Sequence, residues 1–415
     1  MNDLIGIESI NAYVARAYIE VSDLFSARNL DLSRLENLMM QQRGVTLPCE
    51  DPVTYAVNAA FPLINAMSND QRQHIEAVIT ASESGIDFGK SMSTQVHKFL
   101  GLSNRCRLFE LKQACFGGNA ALQVAFNMVR CSTSANAKVL VIATDLALPV
   151  HDLEYMEPAQ GAGAVAVIVS KNPKIFQVDC GASGLHAFHI EDAFRPGVDI
   201  EIADKDLSLM AYMDCLEGAY DDYCQQVENA HLRDTFSYLV FHTPFAGMVK
   251  AAHRQIMRKK LASPADQIMD DFLARVQPSI EFCRRVGNLY SGALLLALFS
   301  LMSNARFQTH QRIGLYAYGS GCSAEFFSGV MRPGVHDIAL TQQFKDHIEG
   351  RSKLSIQQYD ELSQIENRIR VGDRDKIINF KLFQDIFDKQ YHGQHLLFLK
   401  QLNHYSREYA WADAR

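Results

Sequence analysis

The sequence predicts an α/β protein made of two similar halves, and three observations support this prediction. Short apolar runs rich in β-branched residues, at residues 75–81, 138–145 and 236–241, are typical of buried strands. Stretches with helical spacing of apolar residues lie between these runs. The chain has 415 residues and is 48% hydrophobic, which is enough for a large core.

We place the boundary between the two predicted halves after residue 172, so that residues 1–172 form the first and residues 173–415 the second. Strands and helices alternate clearly across residues 75–170 and more faintly in the second half. Residues 333–390 are charged and helical in composition, which predicts a peripheral helical excursion. Residues 391–411 carry aromatic residues in a helix-like pattern.

Charge, cysteine content and hydropathy exclude several classes of protein. A formal net charge of −7 gives no basic footprint, so no nucleic-acid partner is expected. The nine cysteines are scattered without a CxxC pair, so neither a disulfide framework nor a metal site is expected. No run of eighteen apolar residues occurs, and the N-terminus lacks the features of a signal peptide. We therefore expect a cytoplasmic protein without a membrane partner.

The first buried strand, at residues 75–81, leads into the sequence SESGID, which contains two candidate acid/base residues. A carboxylate just past the end of a buried strand is where α/β proteins place functional groups. Glu83 lies on a tight turn before Ser84 and Gly85 and is the stronger candidate, with helix capping as the alternative. Asp87 is interpreted as a cap for the helix that begins near Ser91.

The central stretch of the chain is ELKQACFGGNAAL, at residues 110–122. A strand-like run leads into Cys115, and the spacing after Gly118 becomes helical, which predicts a strand-to-helix turn. At such a turn, free backbone N–H groups and the helix dipole favour the thiolate, so Cys115 is a candidate nucleophile. Gly117 and Gly118 let the backbone approach a bound acyl group. The alternative is a small core cysteine beside a glycine turn.

The next strand, KVLVIATD at residues 138–145, is followed by the sequence GAGAVA at residues 161–166. This glycine pattern lacks the GxGxxG spacing of a dinucleotide site, and it precedes its strand instead of following one. It is therefore interpreted as a point of close backbone packing, and no nucleotide cofactor is expected.

The second half offers four further candidate residues, which lie at the ends of three predicted elements. His242 follows the strand at residues 236–241, Asn288 precedes the apolar helix ALLLALFSLM, and Ser320 and Gly321 follow the strand RIGLYAY. Taken singly, each fits a structural role better: a core histidine, a helix-capping asparagine and turn residues. Their occurrence together favours a site. A basic helix at residues 247–260, which includes Lys250, is either a docking face or a solvated surface.

The motifs ESGID, QACFGGNAAL, GAGAVA, DAFRP, FHTPFAGMVK, GNLYSG and YGSG together resemble the 3-hydroxy-3-methylglutaryl-CoA (HMG-CoA) synthase family of the thiolase superfamily, in family order from about residue 5 to residue 411. The resemblance implies the thiolase-like five-layered αβαβα fold of two similar halves, and a homodimer. The segments LPCEDPVTYAVNAA and RLFELKQACFGG are most similar to the branch that installs β-branches in bacterial polyketide synthesis. The alternative is the mevalonate-pathway enzyme, which uses acetyl-CoA and acetoacetyl-CoA.

The resemblance also implies roles for individual residues. Cys115 would accept an acetyl group, Glu83 would remove a proton from its methyl group, and His242 would polarise the β-ketone of the acceptor. Asn288 would position the acceptor, and the backbone amides of Cys115 and Ser320 would form an oxyanion hole. Gly321 and Lys250 complete the expected substrate-binding set.

In the polyketide branch, the implied partners are a donor and an acceptor acyl carrier protein, and the implied substrates are thioesters on their phosphopantetheine arms. No bound cofactor is implied. Phe116 and Asn119 stand where the family more often has Tyr and Thr. Two further alternatives are a decarboxylating ketoacyl synthase, which needs no base such as Glu83, and a carrier-binding scaffold without catalysis, against which the three retained catalytic residues argue.

Overall fold

One nine-stranded sheet joins strands from both halves of the sequence. The computed structural model describes residues 4–147, 156–198, 200–335, 338–364 and 369–413. The strands are β1 Gly6–Val14, β2 Ala17–Glu20, β3 Gln42–Val45, β4 Ile75–Ala81, β5 Arg107–Leu111, β6 Lys138–Leu146, β7 Ala162–Ser170, β8 Phe176–Ala187, β9 Ala193–Gly197, β10 Ile200–Ala203, β11 Tyr238–Phe241, β12 Gln311–Gly319, β13 Ser323–Met331, β14 Ser352–Lys353, β15 Lys376–Ile377, β16 Leu397–Asn403 and β17 Ser406–Trp411.

The helices alternate with these strands through most of the chain. They are α1 Val21–Ala27, α2 Leu35–Leu38, α3 Pro52–Asn65, α4 Asn69–Gln73, α5 Ser93–Leu100, α6 Gly117–Cys131, α7 Lys205–Gln226, α8 Ala246–Leu261, α9 Ala265–Arg275, α10 Gln277–Val286, α11 Ala293–Asn304, α12 Ile338–Gly350, α13 Ile356–Ser363 and α14 Gln384–Tyr391. Short 3₁₀ turns occupy Leu32–Arg34, Glu157–Ala159, Tyr290–Gly292 and Phe380–Leu382.

The strand order in the large sheet is β11-β12-β13-β8-β1-β7-β6-β4-β5. Strands from residues 6–170 form one part of this sheet, and strands from residues 176–331 form the other. In each part, parallel pairs lie at the outer end, β4 with β5 and β6, and β11 with β12. The carboxyl ends of these parallel strands hold most of the residues singled out in the sequence. The division into two domains at residue 172 stays a prediction.

Three apolar clusters define the layers of the fold. The central cluster contains α6 and α11, packed between one face of β4, β6 and β7 and one face of β11, β12 and β13. On the far side of β4, β6 and β7 lies α3, and on the far side of β11, β12 and β13 lie α7 and α8. The layers therefore run helix, sheet, helix, sheet, helix, which confirms the predicted five-layered fold.

Two local predictions in the first half are confirmed. All residues of β6 are buried, as expected for a β-branched strand covered by helices on both faces. At the GAGAVA segment, a Cβ on Gly161 would lie 2.6 Å from the Val286 carbonyl oxygen, and one on Gly163 would lie 2.6 Å from that of Tyr13. The glycines therefore permit close backbone packing, as the sequence indicated.

The end of the chain differs from its helix-like pattern. Residues 397–411 form an antiparallel hairpin of β16 and β17, joined by His404 and Tyr405, whose φ angles are +47° and +63°. A two-residue turn of this type usually carries Asn-Gly, so His404 and Tyr405 do not signal a turn in the sequence. The hairpin is held to α3 because the Asn58 side chain exchanges hydrogen bonds of 3.0 and 2.8 Å with the Leu397 backbone.

The segment at residues 333–390 contains α12, α13 and α14 together with the two-residue strands β14 and β15. β14 pairs with β2, so this segment is attached to a small sheet next to the main one.

Candidate active site

A cavity of about 260 Å³ is lined by residues from both halves of the sequence. Glu83 and Cys115 come from the first half, and His242, Asn288 and Ser320 come from the second. Glu83 and Ser320 are 237 positions apart in the chain, yet the structure brings all five residues to one cavity. Much of the remaining lining is apolar and includes Met156, Phe194, Leu209, Phe245 and Met248. The cavity thus combines a few polar groups with a wall suited to an acyl chain.

Cys115 lies between β5 and α6, as the sequence predicted, and its Sγ is 3.5 Å from Glu83 Oε1. Gly118 allows α6 to approach the second half closely, since a Cβ there would lie 2.1 Å from the Ser291 carbonyl oxygen. Burial raises the pKa of Cys115 well above its ordinary value, and the carboxylates of Glu83 and Asp145 raise it further. The expectation of a resting thiolate is therefore wrong, because burial and the two neighbouring carboxylates favour the neutral thiol.

Glu83 is held on its turn by a buried carboxylate that the sequence analysis did not assign. Asp145, at the end of β6, accepts hydrogen bonds through Oδ1 from the Glu83 and Ser84 amides at 2.9 and 3.0 Å and from the Ser82 hydroxyl at 2.9 Å. Through Oδ2 it accepts from the Ser291 amide at 3.0 Å and the Ser291 hydroxyl at 2.5 Å. Asp145 therefore ties the Glu83 turn to the second half.

The Glu83 side chain is 16% exposed and faces the cavity. Burial raises the pKa of Glu83 to about 7, opposed by the nearby Arg195 guanidinium. A carboxyl group with a pKa in this range can both accept and return a proton at neutral pH. Asp87 instead lies on the exposed surface, where its Oδ1 accepts from the amides of Gly89 and Lys90, and α5 begins later, at Ser93.

His242 follows β11 and is 1% exposed. Its backbone is fixed by two hydrogen bonds: its amide donates to the Tyr316 carbonyl oxygen at 2.8 Å, and its carbonyl oxygen accepts from the Tyr212 hydroxyl at 2.7 Å. Burial lowers the pKa of His242 to about 3, so the imidazole is neutral. Nδ1 has no hydrogen-bond partner within the described residues. A neutral ring can donate one N–H to a carbonyl oxygen in the cavity.

Asn288 and Ser320 also face the cavity. The Asn288 side chain accepts through Oδ1 from the Tyr290 amide at 2.7 Å, so its carbonyl end caps the turn ahead of α11. The Ser320 carbonyl oxygen accepts from the Gln113 side chain at 3.4 Å, which brings the loop after β12 next to the loop that carries Cys115.

Two predicted substrate-binding residues lie outside the cavity lining. The amide of Gly321 donates to Asp192 Oδ1 at 2.9 Å, and Lys250 lies half-buried on α8. Both positions stay predictions for contact with a substrate.

The basic face of α8 is partly neutralised by neighbouring acids. Lys259 and Lys260 both pair with Glu217, and Lys260 also pairs with Asp221 at 2.6 Å. His253 is buried and bonded to Asp271 at 2.7 Å. Arg254 and Arg258 remain exposed on this helix.

Arg195, Glu201 and Tyr290 line the cavity next to Glu83, and the sequence analysis assigned no role to any of them. Arg195 belongs to the DAFRP motif on β9, and Glu201 lies on its hairpin partner β10. The Arg195 guanidinium lies 4.8 Å from the centroid of the Tyr290 ring. The available signal was the DAFRP motif itself, which carried no assigned role.

Among the described residues, no group of three or more His, Cys, Asp or Glu side chains is arranged to hold a metal ion. No helix in the described part of the chain is long and apolar enough to cross a membrane.

Comparison with protein families matches both halves of this chain to models of the same family. The model for the N-terminal part of hydroxymethylglutaryl-coenzyme A synthase matches residues 2–174, and the model for its C-terminal part matches residues 176–272 and 254–410.

Similarity to individual proteins extends over nearly the whole chain. The polyketide biosynthesis 3-hydroxy-3-methylglutaryl-ACP synthase PksG of Bacillus subtilis is 44% identical over 98% of this chain and 99% of its own. The hydroxymethylglutaryl-CoA synthase of Enterococcus faecalis is 34% identical over 86% of this chain and 90% of its own. The HMG synthase of the curacin biosynthetic pathway, solved in complex with acetyl donor-ACP, matches with a TM-score of 0.95 and 45% identity over 98% of this chain and all of that one.

Proposed function

Because the chain belongs to the hydroxymethylglutaryl-CoA synthase family, we propose that it is the acyltransferase that installs a β-branch on a carrier-bound polyketide. It condenses an acetyl group, received from acetyl-acyl carrier protein, with the β-ketone of a β-ketoacyl chain on a second carrier. The product is an HMG-like 3-hydroxy-3-carboxymethyl thioester. The observation that carries this proposal is the 44% identity, over nearly the full length, to an HMG-ACP synthase.

In the first proposed step, the Cys115 sulfur attacks the acetyl thioester of the donor carrier. Glu83 Oε1, at 3.5 Å from Sγ, is placed to take the thiol proton. The C–S bond to the phosphopantetheine arm breaks, and that sulfur leaves as a thiol with the proton that Glu83 took from Cys115, which returns Glu83 to a carboxylate. The amides of Cys115 and Ser320 are proposed to stabilise the charge on the acetyl oxygen.

In the second step, the Glu83 carboxylate removes a proton from the methyl group of acetyl-Cys115. The resulting enolate carbon attacks the β-ketone carbon of the acceptor, a new C–C bond forms, and the ketone oxygen takes up the proton held by Glu83 to become the 3-hydroxyl group. His242, neutral because it is buried, donates a hydrogen bond to the ketone oxygen and supports the charge that develops there. Asn288 is proposed to position the acceptor.

In the last step, water attacks the thioester carbon at Cys115, the C–S bond breaks and the product leaves with a free carboxylate. Cys115 regains its proton and the cycle closes. The thioester itself activates the acetyl group, so this sequence requires no bound metal or redox cofactor.

Intact-protein mass spectrometry tests the proposal directly. Wild type and Cys115→Ser are each incubated with acetyl carrier protein and, separately, with acetyl-CoA. We expect an increase of about 42 Da, as an acetyl group replaces the thiol hydrogen, on the wild type mainly from the carrier, and none on the variant. Equal or better acetylation from acetyl-CoA would favour the mevalonate-type alternative, to which the 34% identity with the Enterococcus enzyme points. Without acetylation of Cys115 from either donor, the mechanism is refuted.

Carrier docking is proposed on the exposed basic face of α8. Within the described part of the chain, neither Arg254 nor Arg258 forms an ion pair like those of Lys259 and Lys260 on the same helix. Both arginines are exposed, so they are the residues available to an acidic carrier helix. Charge reversal of Arg254 and Arg258 should weaken carrier binding in a titration, whereas Lys259→Gln is the matched control with little effect. Unchanged affinity in the double variant would contradict docking on this face.

We also propose a homodimer in the cytoplasm. β5 is the outermost strand at one end of the nine-stranded sheet, so a second copy could extend the sheet there. Light scattering of the purified chain measures its mass, and a monomer would contradict the dimer.

A further inference from the structure

The cavity wall includes a small hairpin of β9 and β10 that forms its own two-stranded sheet, apart from the nine-stranded one. It contributes Arg195 and Glu201, both with side chains more than nine-tenths buried, at 9% and 7% exposed. A buried guanidinium needs charged or hydrogen-bonding partners, because removing it from water is costly. The partners of Arg195 therefore indicate what it is there to do.

Arg195 contacts the Glu83 turn and Glu201 with different atoms. Nη2 lies 3.2 Å from Glu201 Oε2, and Nη1 donates to the Ser84 hydroxyl at 3.2 Å. Nε lies 3.5 Å from Glu83 Oε2 and has no hydrogen-bond partner within the described residues. The guanidinium also lies over the Tyr290 ring. Glu201 and Ser84 thus hold the closer contacts, and Glu83 has only a looser ion pair.

The two oxygens of Glu83 face different groups. Oε2 faces Arg195, whereas Oε1 faces the sulfur of Cys115 at 3.5 Å. A close bidentate pair with arginine would hold the carboxylate strongly in its ionised form and make it a weak base. The looser contact fixes the orientation of the carboxylate and leaves Oε1 able to accept a proton.

We propose that Arg195 is a positioning residue: it orients the Glu83 carboxylate toward Cys115, and Glu201 on the same hairpin holds Arg195 in place. This inference rests on the proposed role of Glu83 as the base. It deepens that role by naming the groups that keep the base both aligned and reactive. The charged and titratable groups that face Glu83 are Arg195 and Glu201 from the hairpin, Asp145 from β6, Cys115 before α6 and Tyr290 before α11.

Removing the positive charge of Arg195 should raise the pKa of Glu83, because the effects of burial and of the Asp145 and Glu201 charges would then be unopposed. In Arg195→Met, Glu83 would be protonated over a wider pH range. The acidic limb of condensation by the pre-acetylated enzyme, the low-pH side of its rate profile, should move up by about one pH unit, so that the rate falls about fivefold at pH 7 and recovers at higher pH. Arg195→Lys keeps the positive charge, so its pH profile should lie close to that of the wild type.

The experiment measures single-turnover condensation of acetylated enzyme across pH 5.5–9 for wild type, Arg195→Met, Arg195→Lys and Glu201→Gln. Arg407→Met is the matched control, since Arg407 is another buried arginine in an ion pair, 2.9 Å from Asp51, and is not part of the cavity lining. It should alter stability without moving the acidic limb. Glu201→Gln should lower the condensation rate, because Arg195 then pairs more closely with Glu83 and makes it a weaker base.

A uniform loss of rate at every pH in Arg195→Met would indicate a merely structural role and overturn the inference, as would an unmoved acidic limb. Glu83→Gln separates this from failure of the proposed function. If Glu83→Gln condenses normally, Glu83 is not the base and the proposed function fails. If Glu83→Gln is impaired while Arg195→Met keeps the wild-type pH profile, only the positioning role fails.

Discussion

Asp145 offers the most direct test of how the two halves are joined at the site. It is fully buried, and its two oxygens accept from Ser82, Glu83 and Ser84 on one side and from Ser291 on the other. Asp145→Asn keeps one oxygen and replaces the other with an NH₂ group. The favoured placement leaves the oxygen toward the Glu83 turn, where it serves two backbone amides. The NH₂ group then faces the Ser291 amide, donor against donor.

This substitution should lower the free energy of unfolding by about 2–4 kcal/mol. One buried N–H without a partner costs about 1–3 kcal/mol, and the remaining hydrogen bonds lose the assistance of a charge. Displacement of Ser291 should also shift the Glu83 turn relative to α11. Condensation should therefore slow more than acetylation of Cys115 does.

Urea unfolding followed by far-UV circular dichroism measures the stability of the Asp145→Asn variant, and mass spectrometry measures acetylation. Asp87→Asn is the matched control, because Asp87 also accepts two backbone amides but does so on the surface through one oxygen. Its stability should change by less than about 0.5 kcal/mol. A similarly small change in Asp145→Asn would refute the argument that its second oxygen is required.

Three further variants test the site. Glu83→Gln should still be acetylated, though more slowly because the Cys115 thiol loses its base, and it should condense about 10²–10⁴-fold more slowly. Its Cys115 should react with iodoacetamide at lower pH than wild type, since a carboxylate that raises the thiol pKa is removed. His242→Ala should lose condensation but keep acetylation; because the pKa of His242 is lowered to about 3, wild-type condensation should show no limb from this ring above pH 5. Gly118→Ala should lower stability by about 1–3 kcal/mol in urea unfolding, because its Cβ would overlap the Ser291 carbonyl oxygen.

Site residues at the ends of parallel strands could be predicted from the sequence. Glu83 and His242 each follow a run that reads clearly as a buried strand, Cys115 follows a strand-like run, and the carboxyl ends of such strands meet in α/β proteins. Asp145 ends the KVLVIATD strand, so the same rule applied to it but was not used there. Its network becomes evident only when Ser291, 146 residues away, is seen beside it.

Arg195 and Glu201 could not be assigned in this way. They lie on short strands, AFRPG and IEIA, the first of which contains a proline, so neither reads as a buried strand. The role of this hairpin depends on its contact with the Glu83 turn, where Arg195 bonds to Ser84, 111 residues away in the chain. Local spacing carries no information about such a contact, and a motif such as DAFRP indicates only that its residues occur together.

The protonation of Cys115 depends on a competition that spacing alone does not decide. The sequence places the sulfur at a helix start, but the amides of Phe116 and Gly117 donate to the carbonyl oxygens of Gln113 and Ala114 and are therefore not free to stabilise a thiolate. Burial and the neighbouring Glu83 then favour the thiol. A resting thiol requires a base at the moment of attack, and Glu83 Oε1 is the group at hand. With its pKa raised to about 7, one carboxyl group can take the thiol proton in the first step and the methyl proton in the second.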